Sequence, residues 1–314
     1  MVHNHTSQAI DTSLCTLSTC PIAWAQVDYD PTLAGNLIYL VIFAILFLAQ
    51  GFLGIRYRTW GFLVGMFCGI FLEILGYPYH YGRSRLLTTV LCNSYLIPIT
   101  IGPAFLSASV YLCLGRIIMT YGTETSRFAP RTYMFIFSTC DFFSLLLQSI
   151  GGAIAATSNT RSGSKTGANI MVAGLAFQVF SLILFMLLAG EYWWRVRQAP
   201  KGRMEFSDLR ASKMFRLFKF ALVVSTIAIF IRSVFRVAEL QGGFGGSIAN
   251  NEVLFMIFEG PFIIIAVAVL TVCHPGIAFG GMWAAANWPL RTSKSAGEQG
   301  VELEESFSRE NLHK

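Results

Sequence analysis

A chain of 314 residues in which 54% of side chains are hydrophobic and only 13% charged holds more apolar surface than a water-soluble domain of that length can bury. Its mean hydropathy is positive and its formal net charge is +6, which together describe a membrane protein with basic loops. A transmembrane β-barrel is excluded because barrel strands alternate and run only about ten residues, and nothing in the pattern calls for a nucleic acid.

Residues 1–32 contain no Lys or Arg and carry an Asn4-His5-Thr6 sequon, so they are expected to form an external segment glycosylated at Asn4. No basic region precedes an early apolar core, so the first span is expected to act as its own insertion signal. Cys15 and Cys20 fall in this segment, where an oxidising compartment permits a disulfide between them, with Cys92 near the outer end of the third span. Seven apolar stretches follow, at residues 33 to 54, 60 to 79, 92 to 117, 132 to 155, 168 to 192, 216 to 239 and 252 to 273. Each approaches the length that crosses a hydrocarbon core of about 30 Å as a helix.

The expected fold is therefore an all-α seven-transmembrane helix bundle over residues 33–279, followed by a disordered cytosolic tail over 280–314. Pro98 and Pro103 predict a kink or break in the third span, and Glu259-Gly260-Pro261 predicts a local break in the seventh. Trp283 and Trp288 are expected at the inner interface. Basic residues concentrate in the loops after the first, third and fifth spans, whereas the opposite side has only Arg83, Arg85, Arg161 and Lys165. That asymmetry places the amino terminus outside and the carboxyl terminus in the cytosol.

Ionisable residues inside the spans are the main functional signal. Arg232, Arg236 and Glu239 are spaced i, i+4 and i+7, so they share one face of the sixth span. At about 1.5 Å per residue, Arg232 lies some 20 Å beyond Lys219, and Glu73 about 20 Å beyond Trp60. Glu259 lies about 10 Å inside the seventh span, so three helices carry charge at similar depth. Matching polar stripes run along the fourth span, through Asp141, Ser144, Gln148 and Gly152, and along the fifth, through Gly167, Gly174, Gln178 and Ser181. Gly61, Gly65 and Gly69 lead up to Glu73 as a small-residue stripe suited to close helix packing. Two readings stand beside each other. The charges and glutamines bind a ligand headgroup, or they pair structurally, Glu73 with Arg232 or Arg236, while the glutamines act as interhelical hydrogen-bond glue. Cys68, Cys113, Cys140 and Cys273 read as small packing residues.

Several chemistries find no support. The chain has no phosphate-binding G-x-x-x-x-G-K-[ST] loop, no HExxH zinc motif, no G-x-S-x-G nucleophile elbow and no Lys in the seventh span for a retinal Schiff base. Catalysis, a cofactor and a metal are accordingly not expected. Leu114-Gly115-Arg116-Ile117 and His274-Pro275-Gly276 stand where G-protein-coupled receptors show other motifs.

An ordered set of motifs does find a likeness. Glu73-x-x-Gly76-Tyr77, Pro103-Ala104 with Tyr111 and Arg116, and Asp141-x-x-Ser144-x-x-x-Gln148-x-x-Gly151-Gly152 occupy the first half. Gly174-x-x-x-Gln178, Arg232-x-x-x-Arg236-x-x-Glu239, Glu252 and His274-Pro275-Gly276 occupy the second. Together with Tyr29-Asp30-Pro31, Cys15 and Cys20, this set resembles the fungal lipid-translocating exporter family, the seven-span proteins related to the aminocholesterol-resistance protein. It departs from that family at Phe255 and Glu259, where a Tyr and an Asp are usual, and at Phe235, often a Tyr.

The resemblance implies a multi-pass plasma-membrane protein that exports or translocates amphiphiles, with sphingoid long-chain bases the best-known substrates and sterol-like toxins or porphyrins tied to other members. Glu73, Asp141 and Glu259 are candidates to accept an ammonium headgroup. Arg232 and Arg236, with Glu239, are candidates to tune those carboxylates or to hold a phosphate, and Tyr77, Gln148 and Gln178 to support them. The expected partners are membrane lipids and an amphiphilic small molecule. The alternative is a seven-helix amphiphile sensor signalling through the basic loop from Trp193 to Lys219.

Overall fold

The computed structural model describes residues 33–76, 88–122, 126–158, 160–198, 206–242, 252–283 and 285–286. Asn4, Cys15, Cys20, Tyr77 and the tail beyond residue 286, Trp288 included, lie outside the described residues. Every regular element among the described residues is helical. In chain order these are α1 (Leu33–Arg56), α2 (Trp60–Gly76), α3 (Thr88–Tyr121), α4 (Pro130–Thr157), α5 (Arg161–Gln198), α6 (Ser207–Ala211), α7 (Lys213–Gln241), α8 (Glu252–Phe258), α9 (Gly260–Val272) and α10 (Pro275–Ala278).

Among the described residues, six segments are long and apolar enough to cross a membrane: Gly35–Arg56, Ile99–Tyr121, Pro130–Ala155, Ser162–Gln198, Lys213–Gln241 and Met256–Ala278. The remaining apolar stretch folds as α2, whose 17 residues make a helix of about 25 Å, somewhat short of a full hydrocarbon core. Apolar side chains point outward all round, among them Leu48 and Phe52 of α1, Phe180 and Leu187 of α5, Phe220 of α7 and Val272 of α9. Water would penalise such a surface, whereas lipid tails solvate it.

Consecutive long helices pack on one another, α5 packs on α7, α7 on α9, and α9 returns to α1, closing a ring. Two polar clasps fasten that closure: Gln50 Nε2 donates to Thr271 Oγ1 at 3.0 Å, and the Tyr39 hydroxyl donates to the Met256 carbonyl at 2.9 Å. The second clasp sits where the helix breaks between α8 and α9, at the residue where the sequence predicts it. Gly260 has no Cβ, and one there would meet the Tyr39 ring at 2.9 Å, so the glycine lets the phenol reach the interrupted backbone.

The third span corrects the expectation of a break. It is one continuous helix of 34 residues that begins a turn before residue 92 and runs through both prolines. Neighbouring helices hold its course, since 78% of its most apolar window is buried. It is the inner helix of the bundle and also meets α7.

Glycines let two helix pairs approach closely. On α2, a Cβ at Gly61 would lie 2.8 Å from Leu112, one at Gly65 would strike Ser109, and one at Gly69 would lie 2.6 Å from Leu106, all on α3. Between α4 and α5, a Cβ at Gly151 would lie 2.7 Å from the Gly167 carbonyl.

The end of the bundle that carries the basic loops is tied together by arginines. Arg210, in the short α6, donates to the Thr120 carbonyl at 2.8 Å and so satisfies one of the last acceptors of α3. Arg116 donates to the Trp283 carbonyl at 2.7 Å and lies 4.6 Å over its indole. Trp283 is consequently buried against the bundle, and the packed chain continues to Ala286. In the His274-Pro275-Gly276 turn, the His274 Nδ1 accepts from the Gly276 amide at 3.1 Å, and Gly276 leaves room for the Tyr57 side chain.

Candidate functional site

The helical stripe on α7 projects Arg232, Arg236 and Glu239 into the bundle, where all three are buried. Glu259, at the hinge between α8 and α9, takes an ion pair and hydrogen bond from Arg232 Nη2. Its other oxygen lies 3.7 Å from Arg236 Nε. Arg236 Nη1 donates to Glu239 at 2.7 Å, one turn further along its own helix.

Glu73 completes the group from α2. It is the next step of the Gly61, Gly65, Gly69 stripe, so the spacing that packs α2 on α3 also carries its carboxylate inside. There a Cβ at Gly102 would lie 3.0 Å from Glu73 Oε1, and Arg232 Nη2 stands 3.9 Å away. Glu73 is fully buried, yet neither of its oxygens has a hydrogen-bond partner among the described residues.

Arg232 has a further role that the sequence reading missed. It donates to the Ile99 carbonyl at 2.7 Å. Pro103 lies four residues after Ile99 and has no N–H to give that carbonyl, so the proline creates an orphan acceptor in the membrane and the guanidinium satisfies it. The spacing from Pro103 back to Ile99 was the available signal. One nitrogen thus serves the α3 backbone and the Glu259 carboxylate together.

Asp141 does not join the arginine cluster. It is buried on α4 and accepts from the Tyr111 hydroxyl of α3 at 3.0 Å, its second oxygen having no partner among the described residues. Tyr111 is itself fully buried and packs on Phe185 at a centroid distance of 4.5 Å. The glutamines lie between the two acidic sites. Gln148 Nε2 donates to Ser144 at 2.6 Å and to Gln178 at 3.3 Å, and Ser144 donates to the Gly174 carbonyl at 2.7 Å, which binds α4 to α5. Gln148, Gln178, Thr100, Ser233, Arg232 and Arg236 line a void of about 10 Å³, the scale of a single water. Phe235, between the two arginines, stacks on Phe258 at 4.8 Å and covers the hinge with a hydrocarbon face.

Five charged side chains from α2, α7 and the α8–α9 hinge therefore meet around one buried centre, with three carboxylates against two guanidiniums.

The chain matches the family described as RTA1 like protein over residues 66–282. It is 30% identical over 283 residues to a protein of Saccharomyces cerevisiae named sphingoid long-chain base transporter RSB1, covering 80% of this chain and 73% of that one. To Protein RTM1 of Saccharomyces cerevisiae it is 28% identical over 234 residues, covering 72% of this chain and 70% of that protein. To Protein RTA1 of the same yeast it is 28% identical over 211 residues, or 66% of this chain and 63% of that protein. No solved structure matches it.

Proposed function

For a chain that belongs to the RTA1-like protein family, we propose translocation or export of amphiphiles with a cationic headgroup, sphingoid long-chain bases foremost, across the plasma membrane by a seven-helix bundle. The observation that carries this reading is the surplus carboxylate. Two guanidiniums face three carboxylates, and Glu73 is the one left without a hydrogen-bond donor among the described residues. An ammonium supplies both the missing charge and the missing donors. The name of the yeast relative supports the same substrate class.

In this reading the void of about 10 Å³ beside the arginines is too small for a headgroup, so the bundle is in a closed form. Entry requires α7 to shift, and the α8–α9 hinge is the element that permits it, because its backbone bonds are already interrupted at Glu259. Arg232 then gives up Glu259 or the Ile99 carbonyl to the ligand's ammonium and hydroxyl groups. Asp141 with Tyr111 forms a second acidic station, between α3 and α4. The hydrocarbon tail stays in lipid throughout.

The test is movement of a labelled sphingoid base across liposomes containing only the purified protein, compared with Glu73→Gln and Glu259→Gln variants of unchanged melting behaviour. Movement that falls at least tenfold in the folded variants supports the site. Movement that persists in both rejects the carboxylates as headgroup ligands. Absence of movement in the parent protein, with an imposed ion gradient, rejects translocation itself.

A further inference from the structure

Away from the ionic cluster, α5 and α7 enclose a groove of about 640 Å³, to which α3 contributes Val110, Leu114 and Ile117. That volume lies within the range of small-molecule sites, about 300–1,000 Å³. Its two ends differ in chemistry. From Arg216 to Ile227 along α7 the rise is about 16 Å, and over that length the lining passes from cations to aliphatic and aromatic side chains.

Three cations, Arg197, Arg216 and Lys219, line the polar end, and among the described residues no carboxylate lines the groove. Glu191, beside it in sequence, is turned to Arg127 and Arg195 at 2.8 and 2.7 Å. Lys219 is held in place: its Nζ donates to the Tyr121 hydroxyl at 2.6 Å and lies 4.6 Å from the centre of the Trp193 ring. Tyr192 also lines the groove, and its buried hydroxyl has no hydrogen-bond partner among the described residues. A fixed ammonium, two exposed guanidiniums and an unused phenol meet at the mouth of an apolar slot.

We propose that this groove binds an anionic phospholipid, its phosphate held by Arg197, Arg216 and Lys219, its oxygen accepting from Tyr192, and one acyl chain lying along α5 and α7. Charge complementarity selects the occupant. The cationic amphiphile proposed for the carboxylate cluster is repelled here, whereas a phosphate is attracted and the indole of Trp193 sits at the level where headgroup meets tail.

Gly190 supplies the decisive variant, because it lines the groove and a Cβ there would meet nothing within 4 Å. The experiment is native mass spectrometry of the full purified chain titrated with dioleoyl phosphatidic acid and, separately, with dioleoyl phosphatidylcholine. Phosphatidic acid is expected to bind at least tenfold more tightly. Arg197→Gln and Arg216→Gln, both at exposed positions, are each expected to weaken it about fivefold, and Gly190→Phe to abolish it. Equal binding of the two lipids overturns the phosphate assignment, as does unchanged affinity in both arginine variants. Unchanged binding in a folded Gly190→Phe protein overturns the location. Displacement of the lipid by millimolar inorganic phosphate alone reduces the site to an anion site and overturns the acyl slot. Because the readout is binding, it stands or falls separately from sphingoid-base movement.

Discussion

Arg232 joins a backbone defect to a charge cluster. Pro103 removes the donor that Ile99 would have had, and the guanidinium fills the vacancy while holding Glu259. The two features are predicted to be energetically coupled. Replacing Arg232 by Met strands both an acceptor and a carboxylate, a loss of about 3–5 kcal/mol for a broken buried pair. In a Pro103→Ala background the restored N–H serves Ile99, so the same replacement should cost at least about 0.5 kcal/mol less by thermal melting in detergent. Strict additivity would show that the bond to Ile99 contributes nothing. The charged residues themselves were legible in the sequence, since a Glu or Arg inside an apolar span is conspicuous. Of their partners, the pairing of Glu73 with Arg232 was read from the sequence, whereas the partners of Glu259 and Asp141 were not. Asp141, read as a candidate beside Glu73 and Glu259, bonds instead to Tyr111, because the rotation of α4 about its own axis, which sequence spacing does not fix against a neighbour, turns it there.

At the scale of helices, spacing by four foretold close packing, and the two glycine-rich interfaces give that reading dimensions. A Cβ at Gly151 lies 2.6 Å from the Met171 amide nitrogen, and such backbone has nowhere to yield. Gly151→Ala should therefore destabilise the α4–α5 pair by about 1–3 kcal/mol, the range for an overpacked interior. Gly190→Ala, in open space, should leave melting unchanged or raise it, since Ala favours a helix over Gly, and a comparable drop in both variants would mean that the close backbone approach at Gly151 does not set the effect. Of the kink or break expected at Pro98 and Pro103, the break does not occur: α3 runs on as one helix, and its walls are other helices. In the last crossing the same residue type coincides with a real interruption, where Gly260 admits Tyr39 to the broken ladder. Periodicity in one segment cannot distinguish these outcomes, which depend on what lies alongside.

Across the whole molecule, the cluster of Glu73, Arg232, Arg236, Glu239 and Glu259 gathers well away from the end that carries Lys219, Arg216 and Arg197. If the basic end faces the cytosol, as the distribution of Lys and Arg indicates, Asn4 is external. Expression in a eukaryotic secretory pathway should then give a protein whose mobility increases on glycosidase treatment and not after Asn4→Gln. Modification at a cytosolic-side tag instead, with Asn4 untouched, would invert the bundle. The ring closure by α1 and α9 was invisible from composition. Gln50 and Thr271 are ordinary polar residues on apolar helices until both are seen across the same seam.

The indole of Trp283 lies under the Arg116 guanidinium and edge-on to Phe279 at 5.1 Å, so it is an intrinsic fluorophore wedged at the foot of the inner helix. A displacement of α3 against α7 changes its electrostatic surroundings, and the emission difference between the parent protein and a Trp283→Phe variant isolates that signal. Any displacement of α3 against α7 can thus be followed optically, with no attached dye, in the same samples used for flux.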